Sequence, residues 1–86
     1  MAQETAPEIE AAITQFVATQ LLAGDARGLS RTTELLDMGV LNSLNIMLLL
    51  AFLEERFGMK VQPEDVNPDN IQSIEQLTRW VSQSRT

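Results

Sequence analysis

The most apolar stretch of the chain, residues 43–57, carries signals for both ends of a helix. Asn42 and Ser43 are residue types that favour a helix N-terminus, and Gly58 is a typical C-terminal breaker. On a helical wheel of about 100° per residue, the apolar side chains of one side form a continuous stripe. The stripe consists of Ile46, Leu49, Leu50, Leu53 and Phe57. The pattern therefore predicts a second helix over residues 43–57 with this stripe in the core.

The opposite side of the same helix is also apolar. It consists of Leu44, Met47, Leu48 and Ala51. A helix that is apolar all round is either central in its bundle or exposes one side to a partner. A chain of 86 residues can hardly bury both sides. We therefore favour an exposed recognition face over a fully buried helix.

A first helix is predicted over residues 6–22. Thr5 and Glu8 have the spacing of a capping box, and Pro7 suits a first helical turn. Apolar residues then recur at helical spacing. They are Ile9, Ile13, Phe16, Val17 and Leu21.

The remainder predicts a long loop and two further helices. Residues 24–42 have no sustained period, and loops of this length are more often functional than idle. Pro63 begins a short third helix over residues 63–67, closed by a turn at Asn67 and Pro68. A fourth helix follows over residues 73–83. With no convincing strand and no repeat, we expect one domain over residues 1–86, an all-α bundle of three main helices and one short helix.

Composition excludes several functions. The chain has no Cys and no His, so disulfides, imidazole bases and the usual metal ligands are absent, and we expect no metal site. A net charge of −6 repels nucleic acid and anionic membranes. The longest apolar run, residues 46–53, is too short for a membrane span, and the acidic N-terminus lacks a signal-peptide core. We expect a soluble, cytoplasmic monomer.

Ser43 stands where the apolar recognition face meets the long loop. Free N–H groups and the dipole at a helix N-terminus favour an anionic group there, such as a phosphodiester on the serine. The alternative is that Ser43 or Asn42 merely caps the helix. The residues alone leave these two interpretations even.

Residues 33–81 resemble the acyl and peptidyl carrier protein family. That family has a hydrophobic-Gly-x-x-Asp-Ser-Leu signature at the head of its second helix. The matching residues here are Gly39, Val40, Leu41, Asn42, Ser43 and Leu44, and the FLEERFG segment at 52–58 and the run at 63–74 are similar too. The string VLNSLNI at 40–46 most resembles carriers of prolyl or pyrrolyl groups in natural-product pathways.

The resemblance implies a stand-alone four-helix carrier whose Ser43 bears 4′-phosphopantetheine from coenzyme A, with Asn42 and Leu44 beside it. Such a protein catalyses nothing itself. A phosphopantetheinyl transferase would attach the arm, an adenylating acyl or aminoacyl ligase would load it, and tailoring or transfer enzymes would act on the thioester. Leu44, Met47, Leu48 and Ala51 would form the docking face, with Met38, Val40 and Val66 lining its edges.

One residue departs from the family pattern. The family usually has Asp before the serine, where this chain has Asn42. Asn caps a helix about as well as Asp, so the fold should not suffer. Acidic residues common in fatty-acid carriers are also missing after the serine, at Asn45, Met47 and Leu48. We therefore expect recognition by apolar contact, a broad-specificity transferase, and a role in secondary metabolism.

Three alternatives stay open. A helical binding module that has lost the prosthetic group would keep the apolar face but leave Ser43 unmodified. A small hydrolase using Ser43 is disfavoured by the lack of His and of a cleft. Within the carrier family, fatty-acid synthesis competes with secondary metabolism, and a more acidic second helix would have favoured it.

Overall fold

The computed structural model describes residues 5–22, 24 and 28–84. Four α-helices occur in this part of the chain: α1 (Ala6–Phe16), α2 (Ser43–Phe57), α3 (Pro68–Ile71) and α4 (Ile74–Ser84). A π-helical turn, Val17–Leu21, extends α1, and a 3-10 turn, Pro63–Asp65, lies between α2 and α3. The described residues contain no strand. The predicted all-α bundle is confirmed.

The first helix begins with the predicted cap. The backbone N–H of Thr5 donates to a carboxylate oxygen of Glu8 at 2.9 Å. The helix is wider after Phe16, where the π-helical turn begins, and it closes when the N–H of Gly24 donates to the carbonyl of Ala18 at 2.7 Å. Gly24 has φ of +87°, a conformation that glycine adopts without a steric penalty. The predicted helix over residues 6–22 thus corresponds to an α-helix followed by a π turn.

The second helix runs over Ser43–Phe57, the range expected from the sequence. Gly58 ends it in the left-handed region, with φ of +67°. Of the predicted core stripe, Leu49, Leu53 and Phe57 are buried, while Ile46 and Leu50 are half-buried against the core.

The segment after α2 differs from the expectation at two points. Instead of a closing turn at Asn67 and Pro68, the chain forms the one-turn helix α3, with Pro68 at its first position. Proline suits that position because its fixed φ is helical and its missing N–H would have no partner there. The buried side chain of Ile71 holds α3 against the core. The preceding 3-10 turn ends at Asp65, short of the predicted residue 67.

The last helix begins one residue later than expected because Ser73 caps it from outside. The Ser73 hydroxyl accepts the backbone N–H of Gln76 at 3.2 Å. The helix packs against α1 and α3. Trp80 is a buried packing residue, 6% exposed.

The long connection between α1 and α2 is fixed to the rest of the bundle at its second half. Leu35 is fully buried, and its N–H donates to the carbonyl of Gln72 at 2.6 Å. The side-chain oxygen of Gln72 accepts the N–H of Leu36 at 2.9 Å. Arg31 also lies 3.0 Å from Glu10 and 3.1 Å from Glu75, which ties the loop to α1 and α4. These contacts give the loop a defined path into α2.

None of the helices formed by the described residues has the length and apolar character needed to cross a membrane.

Candidate functional site

Ser43 is the first residue of α2, and it is exposed. Asn42 precedes it in an extended conformation, and the side-chain oxygen of Asn42 accepts the backbone N–H of Asn45 at 2.9 Å. This is the standard N-cap bond, in which the cap residue serves a donor that has no partner inside the helix. The cap function therefore belongs to Asn42, which leaves the Ser43 hydroxyl without that structural task.

A second bond, formed by the side chain of Asn45, holds the loop in front of Ser43. The Asn45 Nδ2 donates to the carbonyl of Val40 at 2.7 Å. The N–H groups of Val40 and Leu41 in turn donate to the carbonyl of Leu35 at 3.0 and 3.3 Å. The loop is thus bonded both to α2 and to its own buried anchor, so the position of Ser43 is set from both sides.

Asn45 is a site residue that sequence reasoning missed. In the sequence it stands out only as a position without a negative charge, which is a weak signal. The bond from the backbone N–H of Asn45 to the N-cap residue Asn42 can be expected from the spacing of three residues. The bond from the Asn45 side chain to the carbonyl of Val40 depends on the path of the loop.

The backbone N–H groups of Ser43 and Leu44 have no hydrogen-bond acceptor among the described residues. Both point out of the first turn of a helix of 15 residues, where the helix dipole is positive. A negatively charged group attached to Ser43 would therefore find two free donors beside it.

Large apolar side chains are exposed on α2 after Ser43 and in the loop before it. Leu44 is 64% exposed, Met47 68% and Leu48 45%, and Ala51 is exposed on the next turn. From the loop, Met38 adds a side chain that is 61% exposed. We call these five residues the apolar face. Surfaces of this kind are typical of sites that bind other proteins.

Two residues expected at the edge of that face are more buried than the rest of it. Val40 is only 7% exposed and belongs to the core, because the loop folds inward at Leu35 and again at Val40 and Leu41. The expectation that Val40 lines the docking surface is therefore corrected, although its carbonyl holds Asn45. Val66 is half-buried and packs on the core, so it offers only part of its side chain.

Among the described residues, the titratable groups with displaced pKa values are Glu8 at the start of α1 and Arg31 in the loop. Hydrogen bonds from Thr5 lower the pKa of Glu8 at the start of α1. A hydrogen bond to Glu10, with the charges of Glu10 and Glu75, raises the pKa of Arg31. The first shift comes from the cap of α1, and the second from contacts that tie the loop to α1 and α4. In the described part of the chain, no such group is positioned as a base for the Ser43 hydroxyl.

Comparison with known proteins agrees with this geometry. Residues 11–81 match the family model described as "Phosphopantetheine attachment site". The chain is 25% identical over 73 residues to the "Probable acyl carrier protein PigG" of Serratia sp. (strain ATCC 39006), covering 85% of this chain and 84% of that protein. It also matches a chain from the solved structure "Crystal structure of FAD-dependent dehydrogenase", with a TM-score of 0.76 and 33% identity over 80% of this chain and 97% of the other.

The family match covers most of the chain and includes α2, the apolar face and the loop before Ser43. The resemblance to carriers, the bundle and the prosthetic group are thereby confirmed. This chain belongs to the carrier proteins that bear a phosphopantetheine attachment site.

Proposed function

We propose that this protein carries acyl or aminoacyl groups as thioesters on a 4′-phosphopantetheine arm attached to Ser43, in the biosynthesis of a natural product. The observation that carries the proposal is the exposed Ser43 hydroxyl at the head of α2, relieved of capping by Asn42. The protein itself catalyses no reaction, and partner enzymes act on the group it presents.

The residues at Ser43 fit the arm. Attachment forms a bond between the Ser43 oxygen and the phosphorus next to pantetheine in coenzyme A, and it breaks the bond to the adenosine bisphosphate leaving group. The serine proton passes to a base of the transferase. The phosphodiester so formed is anionic, and the free N–H groups of Ser43 and Leu44 favour a negative charge at this position. The thiol of the bound arm supplies the sulfur nucleophile that a chain without cysteine lacks.

Partner enzymes would dock on the apolar face, Met38, Leu44, Met47, Leu48 and Ala51. It adjoins Ser43, so an enzyme seated on it has its active site within reach of the arm. Each partner must bind and leave, so these interfaces should be small and transient. The partners are a phosphopantetheinyl transferase, an adenylating ligase that loads the thiol, and tailoring or transfer enzymes. Half-buried Val66 would contribute at the edge.

One tailoring partner can be proposed more closely. The solved chain that resembles this protein comes from a structure described as that of an FAD-dependent dehydrogenase. The match nevertheless covers 97% of that solved chain. A chain of that size is far smaller than an enzyme that encloses a dinucleotide cofactor normally is. We therefore include a flavin-dependent dehydrogenase, acting on the tethered acyl group, among the partners. This fits the resemblance of residues 40–46 to prolyl and pyrrolyl carriers.

The decisive experiment is an intact mass measurement after incubation with coenzyme A and a broad-specificity transferase. We expect the parent protein to gain one phosphopantetheine, and Ser43→Ala to gain none. Ser84→Ala, another exposed serine on a helix, is the matched control and should gain the group like the parent. A gain in Ser43→Ala would contradict the assignment of the attachment residue. Absence of a gain in any variant, with several transferases, would favour a binding module without the arm.

The protein with the arm attached can also be used to distinguish a carrier of amino acids or small acyl groups from a carrier of fatty-acid synthesis. Adenylating ligases for amino acids and for small acyl groups, supplied with ATP, should load the arm with a mass gain equal to the cargo. Loading only by the enzymes of fatty-acid synthesis would support the fatty-acid alternative instead. The absence of acidic residues at Asn42, Asn45, Met47 and Leu48 favours the first outcome.

A further inference from the structure

The buried anchor of the loop before Ser43 is itself held by a single residue between α3 and α4. The N–H of Leu35 donates to the backbone carbonyl of Gln72 at 2.6 Å, and the N–H of Leu36 donates to the side-chain oxygen of Gln72 at 2.9 Å. Among the described residues, both hydrogen bonds that join residues 34–41 to this part of the bundle end on Gln72. The path of the loop therefore depends on Gln72.

Gln72 is well suited to hold another segment in place. It lies between the end of α3 at Ile71 and the start of α4 at Ile74, so its carbonyl is outside both helices and can accept a bond from the loop. Ile71 is 3% exposed and Ser73 is 6% exposed, so the backbone on both sides of Gln72 is fixed in the core. Because cores are closely packed, a residue between two buried neighbours can shift little.

A continuous series of hydrogen bonds leads from Gln72 to the start of α2. The carbonyl of Leu35, the residue held by Gln72, accepts the N–H of Val40 at 3.0 Å. The carbonyl of Val40 accepts the side-chain N–H of Asn45 at 2.7 Å. Asn45 lies two residues after Ser43 in the first turn of the helix. Residues that are far apart in the sequence are thus joined into one arrangement around Ser43.

The same loop segment carries Met38, which belongs to the apolar face and is 61% exposed. Its N–H donates to the carbonyl of Glu34 at 3.0 Å, and the N–H of Gly39 donates to the carbonyl of Leu36 at 3.2 Å. Gly39 closes this turn with φ of +77°, a conformation that glycine adopts without a steric penalty. A displacement of Leu36 would therefore move Met38 with it.

We propose that Gln72 is a positioning residue for attachment of the arm, because it holds the loop so that Ser43 and Met38 meet the transferase in one fixed arrangement. This inference rests on the proposed attachment of the arm to Ser43. The transferase must align the Ser43 hydroxyl with the phosphorus of coenzyme A, and a misplacement of about 1 Å can cost roughly a hundredfold in rate. Gln72 acts through the loop and not by contact with the arm.

Three variants separate this role from simple stabilisation of the bundle. Gln72→Met keeps the length of the side chain but removes the acceptor for the Leu36 N–H, whereas Gln72→Glu keeps an acceptor. Gln76→Met is the matched control on the same side of the molecule. The Gln76 side chain accepts the Ser73 hydroxyl at 3.4 Å, and in the described part of the chain it makes no bond to residues 34–41.

The rate of attachment is followed by intact mass with coenzyme A and a broad-specificity transferase, at a temperature where circular dichroism shows every variant folded. We expect kcat/KM to fall about tenfold in Gln72→Met and to stay within about twofold of the parent in Gln72→Glu and Gln76→Met. The parent rate in Gln72→Met would overturn the inference. So would an equal loss in Gln76→Met or in Gln72→Glu, since the loss would then not follow the acceptor.

A double variant tests whether Gln72 acts through the series of bonds. Asn45→Ala breaks the last bond of the series, to the carbonyl of Val40. If both residues act on one linkage, Gln72→Met combined with Asn45→Ala should attach the arm at about the rate of the slower single variant. Losses that multiply in the double variant would show independent effects and would contradict the inference.

Amide chemical shifts give a readout that does not need the transferase. Gln72→Met should shift the amides of Met38, Val40 and Asn45, whereas Gln76→Met should leave them unchanged. Shift changes in Gln72→Met that are confined to its neighbours in α3 and α4 would overturn the inference. A parent protein that gains no arm contradicts the proposed function and, with it, the role of Gln72 in attachment. A parent that gains the arm at the same rate as Gln72→Met contradicts only the role of Gln72.

Discussion

Asn42 and Asn45 are joined by a hydrogen bond of 2.9 Å, from the backbone N–H of Asn45 to the side-chain oxygen of Asn42. The residues flank Ser43 and Leu44 and so enclose the start of α2. The second bond of Asn45, to the carbonyl of Val40, extends this arrangement into the loop. The family signature has an aspartate where Asn42 stands, and the amide oxygen performs the same capping task without the charge.

The first prediction concerns the cap. Asn42→Ala removes the acceptor for the Asn45 N–H and should lower the free energy of unfolding by about 1 kcal/mol. Asn42→Asp keeps an acceptor and adds a negative charge at a helix N-terminus, so it should match or slightly exceed the parent. Urea unfolding followed by circular dichroism measures both. An equal loss in the two variants would show that Asn42 does not act through this bond.

The second prediction concerns the presentation of Ser43. Asn45→Ala breaks the bond to Val40 and should slow attachment of the arm several-fold, besides costing about 1 kcal/mol of stability. Asn70→Ala is the matched control, because Asn70 makes a similar side-chain bond of 2.8 Å to the carbonyl of Asp65. We expect comparable stability loss in the control but the attachment rate of the parent. If both variants slow attachment equally, the role of Asn45 is only structural.

The third prediction separates the two sides of α2. Met47 is 68% exposed, so Met47→Glu should change the free energy of unfolding by no more than about 0.5 kcal/mol. The same substitution should weaken binding of the loading ligase, which would be measured as a higher KM of the ligase for the carrier. Leu49 is fully buried, and Leu49→Ala should cost about 2–5 kcal/mol of unfolding free energy. Thermal unfolding and loading kinetics measure the contrast. Strong destabilisation by Met47→Glu would contradict the exposed apolar face.

The fourth prediction concerns salt. Because the residues around Ser43 are apolar or amide side chains, attachment of the arm should lose less than about twofold in kcat/KM between about 0.05 and 0.5 M salt. Attachment of the arm to Asn42→Asp under the same conditions is the comparison, since this substitution restores a negative charge that salt can screen. A steep loss of rate in the parent would show that recognition depends on the acidic residues elsewhere on the surface.

The fifth prediction concerns pH. The backbone N–H of Thr5 and its hydroxyl bond to the Glu8 carboxylate, which lowers the pKa of Glu8 below 4.5. The contribution of Glu8 to stability is therefore present above about pH 4.5 and is lost as the pH falls through the lower folded value. The stability difference between the parent and Glu8→Gln should shrink as the pH is lowered through this range.

Unfolding in urea at a series of pH values measures that difference, with Glu34→Gln, an exposed loop residue, as the control for loss of one charge. A gap between the parent and Glu8→Gln that stays constant down to the lowest pH would contradict the role of Glu8 in the cap.

Local features of the chain were sufficient to predict most helices. The apolar stripe and its flanking Asn42 and Gly58 predicted a helix over residues 43–57, because capping and periodicity act within a few residues. The one-turn helix α3 was missed. Pro68 and Asn67 can form a turn or begin a helix equally well, and burial of Ile71 decides between them.

The sequence by itself predicted the helices of the bundle and favoured an exposed apolar side of α2, since both follow from residue types at short spacing along a helix, and its resemblance to carrier proteins indicated Ser43. Tertiary structure alone decided that Val40 turns into the core while its carbonyl binds Asn45. It also decided that Phe16 of α1 stacks on Phe52 of α2 to form a groove. The physical reason is that these contacts join residues from different elements, and their geometry depends on how the helices pack, which local periodicity does not encode.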